Sequence, residues 1–348
     1  MKLKLIIFSA LLFIAGCTRS ELPVPPTSSI QPAATAITHK YVLIVKDMEN
    51  PYMKKMFEGF RTACDSFGAE SIFSGETGDT SAEGQIKIVE KMIDEHVDAI
   101  AIAANGKDKL SPVLKKAMQA GIKVVSLDSD VNVEDRYVHI QQASPEMIGR
   151  VLIQAARDMI GGSGEAAILT TTADASNQSL WVSWMQREMA ENPDAYKNMQ
   201  IVDILYGKDL YWDSHQLTVK LLKEHPEVKI IIAPTSMGIL AAADAIESSG
   251  TSTLVTGLGL PSEMAKYIRS GRCPWMYLWN PIDVGYVAAY AVDQLTSGKI
   301  TGAIGEKLDA GNSGILLITP AVDGGSEIVV GKPYMFDKNN VAVWENVF

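Results

Sequence analysis

Cysteine is scarce in this chain of 348 residues: Cys17, Cys64 and Cys273 are its only three, too few for a disulfide scaffold. Histidine is nearly as rare, at five, and none stands at ligand spacing from a cysteine or another histidine, so the pattern offers no structural zinc site. Basic charge is in deficit. Lys and Arg number 31 against 41 Asp and Glu, a net charge of −10, and without clustered basic residues the chain lacks the footprint of a nucleic-acid surface. No apolar run reaches the ~20 residues that a spanning helix needs. What is present is ordinary for a folded protein, with 47% hydrophobic, 21% charged and 7% aromatic residues, which excludes a disordered, collagen-like or coiled-coil chain. The length exceeds what one hydrophobic core usually serves and predicts two domains.

The start of the chain reads as an export signal. Lys2 and Lys4 precede an apolar run from Leu5 to Ile14, and the small pair Ala15-Gly16 follows. Ile14-Ala15-Gly16-Cys17 resembles a bacterial lipobox, which implies cleavage after residue 16, diacylation of the Cys17 thiol and anchorage to the cell membrane by acyl chains. From Thr18 to Thr38 the chain carries Pro23, Pro25, Pro26 and Pro32 among small and hydroxyl residues with no hydrophobic periodicity. Segment 1–16 is therefore expected to be a lipoprotein signal peptide and 17–38 an acylated tether that holds the folded body outside the cytoplasm.

Beyond the tether, short apolar runs alternate with amphipathic stretches. The run at 41–45 feeds a helical pattern from Tyr52 to Phe67 with Met53, Met56, Phe57, Phe60 and Cys64 on one stripe. Strands at 98–103, 122–127 and 137–142 follow, with helices near 82–95, 110–120 and 145–160. After Gly161-Gly162-Ser163-Gly164 the pattern restarts, with strands near 201–206, 229–233, 253–257 and 275–279 and helices near 179–191, 214–224 and 237–248. Continuous apolar strands between amphipathic helices predict two doubly wound parallel sheets of the α/β class. No catalytic constellation emerges. Segment 161–165 lacks the G-x-S-x-G frame, segment 256–260 holds two of the three glycines of a dinucleotide fingerprint, and Cys64 reads as a buried small hydrophobe. No enzyme activity, cofactor or metal is expected.

In open parallel sheets ligands sit outside the carboxyl ends of the strands, so the residues just past each strand are the candidates. They are Lys46, then Asn50 and Tyr52 in the next turn; Asp128-Ser129-Asp130; Asp174, Asn177 and Gln178; Pro234-Thr235-Ser236; and Trp279-Asn280. A lysine, a carboxylate, carboxamides, hydroxyls and aromatic rings are the groups that recognise a polyol, although each alone also serves as a loop residue or helix cap.

The ENPY turn after the first strand, SLDSD, ASNQSLW, IIAPTS, TGLGLPSEM, LWNP and the closing PYMFDKNNV together resemble the periplasmic sugar-binding proteins of ABC importers of the ribose-binding type, over Lys40 to Phe348. Within these the motifs look most like the rhamnose-binding and autoinducer-2-binding branch. The resemblance implies the type I periplasmic binding protein fold, in which two lobes joined by a three-stranded hinge close on one small ligand. The hinge crossings are expected near Gln142, near Trp279-Asn280 and near Glu306 to Asp309. They give an N-terminal lobe of 39–142 plus 280–307 and a C-terminal lobe of 143–279 plus 308–348. The implied ligand set matches the autoinducer-2 receptors at Lys46, Asp128, Gln178 and Pro234. It departs at Asn177, where those receptors carry aspartate, and at Ser236, where they carry alanine; both departures look rhamnose-like and point to a deoxyhexose. Asn50, Tyr52 and Trp279 complete the expected binding set. Gly259 stands where ribose binders place an aspartate. The implied partners are a monosaccharide or sugar-like signal and an ABC permease, with the protein acting as a monomer. An autoinducer-2 receptor, or a sensory lipoprotein presenting a sugar to a membrane kinase, is the alternative. Repressors that share this fold begin with a helix-turn-helix instead.

Overall fold

A computed structural model describes Thr38 to Phe348 except Asp79; the signal segment, Cys17 and the tether up to residue 37 lie outside the described residues. Among the described residues no helix is long and apolar enough to cross a membrane.

In chain order the first half comprises β1 (Lys40–Val45), α1 (Pro51–Phe67), β2 (Glu70–Gly75), α2 (Ala82–Asp94), β3 (Ala99–Ile102), α3 (Lys107–Gln119), β4 (Lys123–Leu127), β5 (His139–Ala143), α4 (Pro145–Met159), β6 (Ser163–Thr170), α5 (Ser176–Glu191) and α6 (Pro193–Tyr196). There follow β7 (Asn198–Tyr206), α7 (Tyr211–Glu224), β8 (Val228–Ala233), α8 (Ser236–Ser249), β9 (Leu254–Gly257), α9 (Pro261–Ser270), β10 (Trp275–Leu278), α10 (Pro281–Thr296), β11 (Lys307–Asp309), β12 (Ile315–Leu317), β13 (Thr319–Pro320), β14 (Ser326–Gly331), β15 (Tyr334–Asp337) and α11 (Val341–Trp344).

The first lobe is built on a sheet of order β13-β14-β5-β4-β3-β1-β2, parallel throughout except for β13. Its central strands β1 and β3 are buried along nearly their whole length, which is why they read as unbroken apolar runs. The second lobe carries the parallel order β7-β6-β8-β9, continued by a bridge from Leu258 to Tyr277 into β10, which pairs antiparallel with β15. Helix α1 packs on α10 over the first sheet, and α4 on α5 and α7 on α8 over the second. The α1–α10 approach depends on two glycines, since a Cβ on Gly285 would fall 1.8 Å from the Met56 carbonyl oxygen and one on Gly59 1.8 Å from that of Ile282.

The chain passes between lobes three times. It does so where β5 gives way to α4, just after Gln142, and where β10 gives way to α10, at Trp279-Asn280. The third crossing differs. It was expected near Glu306 to Asp309, with 308–348 in the second lobe. However, β11 forms a hairpin with β12, and β14 lies parallel to β5 with Glu327 opposite His139, so the chain stays with the first sheet to Gly331 and crosses only before β15. The reason is backbone pairing: β14 satisfies the otherwise open edge of β5, and the short, glycine-punctuated strands of this region leave no long apolar run to mark it.

Candidate functional site

The carboxyl ends of the two parallel sheets face each other. Lys46 follows β1, Asp128 follows β4, and Asn50 caps α1, its side-chain oxygen accepting from the Tyr52 backbone N–H at 3.0 Å. From the other lobe come Gln178 on α5, Asp209 in the turn after β7, Pro234-Thr235-Ser236 after β8 and Trp279 at the end of β10. Together they surround a small cavity lined by Lys46, Tyr52, Met53, Asp128, Gln178, Trp181, Asp209, Pro234, Thr235, Ser236, Leu258, Leu278 and Trp279.

On the first lobe Lys46 Nζ donates to Asp128 Oδ2 at 2.6 Å, and both side chains are buried. Asp128 holds this position from the left-handed backbone region, φ 58°, which aspartate tolerates better than most residues. Its carboxylate is committed to lysine on one oxygen and keeps acceptor capacity on the other. An aromatic wall stands beside it: Trp279 Nε1 donates to the Tyr52 hydroxyl at 2.7 Å, and Trp181 and Trp279 meet edge to face at 5.8 Å between centroids. Burial, reinforced by Asp128, pushes the Tyr52 hydroxyl well above its usual range, so it stays a neutral donor and acceptor. Gln178 Oε1 accepts from Thr170 Oγ1 at 2.6 Å and from the Thr171 backbone N–H at 3.1 Å, which fixes the side chain and leaves its amide group as the remaining hydrogen-bonding capacity.

Three buried polar atoms of cavity-lining residues have no protein partner: Trp181 Nε1, Asp209 Oδ1 and Thr235 Oγ1. One is a donor, one an acceptor and one both. A buried polar group left unpaired costs about 1–3 kcal/mol. The cavity is thus built for a molecule that both donates and accepts, as hydroxyl groups do.

Seven of the expected residues, Lys46, Tyr52, Asp128, Gln178, Pro234, Ser236 and Trp279, line this cavity. Two lie beside it. Asn50 spans the cleft, its Nδ2 donating to Asp209 Oδ2 at 3.1 Å and its Oδ1 accepting from Ser236 Oγ at 3.3 Å. Asn177 lines an adjoining crevice and accepts from Ser129 Oγ at 2.9 Å across the lobes, next to a second crossing bond from the Asp130 backbone N–H to Ser176 Oγ at 2.8 Å. The strand-end reasoning also missed residues. Asp209 and Trp181 belong to the lining, and Asp209 stands three residues after the end of β7; Thr235, named with Pro234 and Ser236 at the end of β8, lines it as well. Burial, with Asp128 adding to it and Lys46 opposing, pushes the Asp209 carboxyl up to about 7. Gly259 is not among the lining residues; Leu258 takes that place after β9.

Cys64 and Cys273 are buried, and burial raises both thiols, Cys64 to about 12, so neither is a nucleophile at neutral pH. Among the described residues no cluster of His, Cys, Asp and Glu could hold a metal ion.

The periplasmic binding protein domain matches this sequence over residues 41–300. The chain belongs to the periplasmic binding protein family. It is similar to an ABC transporter solute-binding protein from Clostridium phytofermentas solved with bound L-rhamnose, at 40% identity over 89% of this chain and 99% of that one, with a TM-score of 0.86. The D-ribose/D-allose-binding protein of Pseudomonas aeruginosa is 27% identical over 71% of this chain and 78% of its own length. LsrB from Clostridium saccharobutylicum in complex with AI-2 shares the fold, with a TM-score of 0.82 at 20% identity over 88% of this chain and 99% of that one. This periplasmic binding protein therefore has the two-lobed type I architecture, and its relatives are extracytoplasmic sugar-binding proteins of ABC transporters, which carry their ligands and catalyse nothing.

Proposed function

We propose that this periplasmic binding protein is the lipid-anchored, monomeric receptor of an ABC importer, closing its two lobes on a rhamnose-like deoxyhexose and handing it to the permease. The unpaired trio of Trp181 Nε1, Asp209 Oδ1 and Thr235 Oγ1 carries the reading, because it asks for several hydroxyls in one small buried space. Lys46, Asp128 and Gln178 add charge-assisted and amide contacts to that set. Met53, Pro234, Leu258 and Leu278 supply an apolar part of the wall, which suits the methyl group of a deoxy sugar, and the flat rings of Trp181 and Trp279 suit its C–H face. The bound L-rhamnose of the Clostridium phytofermentas protein supports the same ligand class. Anchorage through acylated Cys17 rests on the Ile14 to Cys17 motif and the proline-rich segment behind it.

A second reading has one observation in its favour. Asp209 brings another carboxyl to the cavity, and two carboxyls would accept from the geminal hydroxyls of hydrated autoinducer-2. Calorimetric titration with L-rhamnose, ribose and autoinducer-2 separates the two: L-rhamnose is expected to bind most tightly, and tight binding of autoinducer-2 with no heat from rhamnose would refute the deoxyhexose reading.

A further inference from the structure

The cavity is lined by two carboxyls and one cation. Lys46 is committed to Asp128, and Asp209 has no cation of its own. Its Oδ2 accepts from Asn50 Nδ2, while its Oδ1 is buried without a partner. The groups facing it come from several elements: Lys46 and Asp47 after β1, Tyr52 on α1, Asp128 after β4 and the Met237 backbone N–H on α8. On its own loop Lys208 is engaged by Asp213 at 3.0 Å. Asp128 and Asp209 belong to opposite lobes, so separating the lobes parts the two carboxyls and lets water reach both. Closing them buries the second carboxyl beside the first with one ammonium for the pair.

We propose that Asp209 takes up a proton as the cleft closes, so that ligand capture is coupled to pH through this residue and tightens as the medium becomes more acidic. The inference rests on the sugar-binding reading of the cavity and adds a regulation to it. The neutral carboxyl also gains an O–H that can donate to a ligand hydroxyl from the oxygen that has no partner in the protein. The direction follows from the closed-state value. Burial raises Asp209 to about 7 from the ordinary 3.8, so closure is favoured on the acid side and that advantage is lost as pH rises through about 7. Below that point the dependence approaches about tenfold in affinity per pH unit and above it levels off.

The test is calorimetric titration of the purified protein with L-rhamnose from about pH 5.5 to about pH 8, on the native chain and on Asp209→Asn, whose amide is the neutral isostere. The native Kd is expected to rise about tenfold or more across that range, and the ratio of variant to native affinity to climb by a similar factor. Titration in buffers of different ionisation enthalpy should show proton uptake on binding by the native chain near the acid end, and less by the variant. A ratio that stays constant with pH, with both proteins binding the sugar, overturns the role of Asp209 and leaves the ligand reading standing. A native protein that binds no sugar at the acid end overturns the ligand reading and this inference with it.

Discussion

Replacing Asp128 with alanine removes the group on which the first lobe's contribution to the cavity is centred. Two losses add in the closed state. A hydrogen bond from a ligand hydroxyl to a charged carboxylate contributes about 1.5–3 kcal/mol, or about tenfold to about a hundredfold in affinity at 1.4 kcal/mol per decade. In addition, the Lys46 ammonium, 2.6 Å from Asp128 and buried, is left without its partner, and stranding one member of a buried pair costs about 3–5 kcal/mol. Water relieves this second cost when the cleft opens, so it weakens closure and not the fold. The expected result is at least a tenfold rise in Kd for L-rhamnose by calorimetry. The melting temperature of the ligand-free protein should stay close to the native value, while the rise in melting temperature caused by the sugar collapses. Asp128→Asn is the informative companion, because asparagine also tolerates the left-handed backbone at φ 58° and keeps one acceptor for Lys46; it should fall between native and alanine. A change in Kd of less than threefold for the alanine variant, with the fold intact, refutes a ligand contact at Asp128.

Three further outcomes are expected. Cys17→Ser should move the protein from the membrane fraction to the soluble one with sugar binding retained; sedimentation with membranes as before would show that acyl chains do not hold it. Gly285→Ala should destabilise the first lobe by about 1–3 kcal/mol in urea unfolding, because its Cβ meets the Met56 carbonyl at 1.8 Å and neither helix can retreat without loosening the other; an unchanged midpoint would mean that α1 and α10 are not so closely packed. Asn177→Ala breaks its bond to Ser129 across the cleft, a contribution of about 0.5–1.5 kcal/mol, so affinity should fall by about twofold to about tenfold for every ligand alike; a change in preference between rhamnose and autoinducer-2 would return Asn177 to the ligand contacts.

The legible part of this protein is the part where burial leaves a mark on the sequence. Strand β1 is covered on both faces, so it reads as an unbroken apolar run, and the first polar residue after it, Lys46, has to leave the sheet at its carboxyl edge where the ligand cavity lies. The same logic reached Asp128 after β4 and Pro234 and Ser236 after β8. It failed where burial is partial. The strand expected at 201–206 ends where β7 ends, at Tyr206, but β7 is an edge strand whose residues are mostly exposed or half-buried, and Asp209 three residues later reads as an ordinary charged residue of a surface turn. Half-buried β2, also an edge strand, was missed for the same reason. Trp181 was hidden differently: an indole on a helix reads as core, and only the tertiary fold makes it part of the cavity wall. The pair Asn177-Gln178 shows the limit most clearly. Neighbours on an α-helix point about 100° apart, since 3.6 residues make a turn, so the two cannot share one direction. Gln178 turns to the cavity beside Thr170, and Asn177 turns to Ser129 on the opposite lobe. Composition and spacing placed both at the right end of the right strand, but the angle of α5 against the first lobe decides which becomes a wall of the cavity and which becomes a bond that holds it shut.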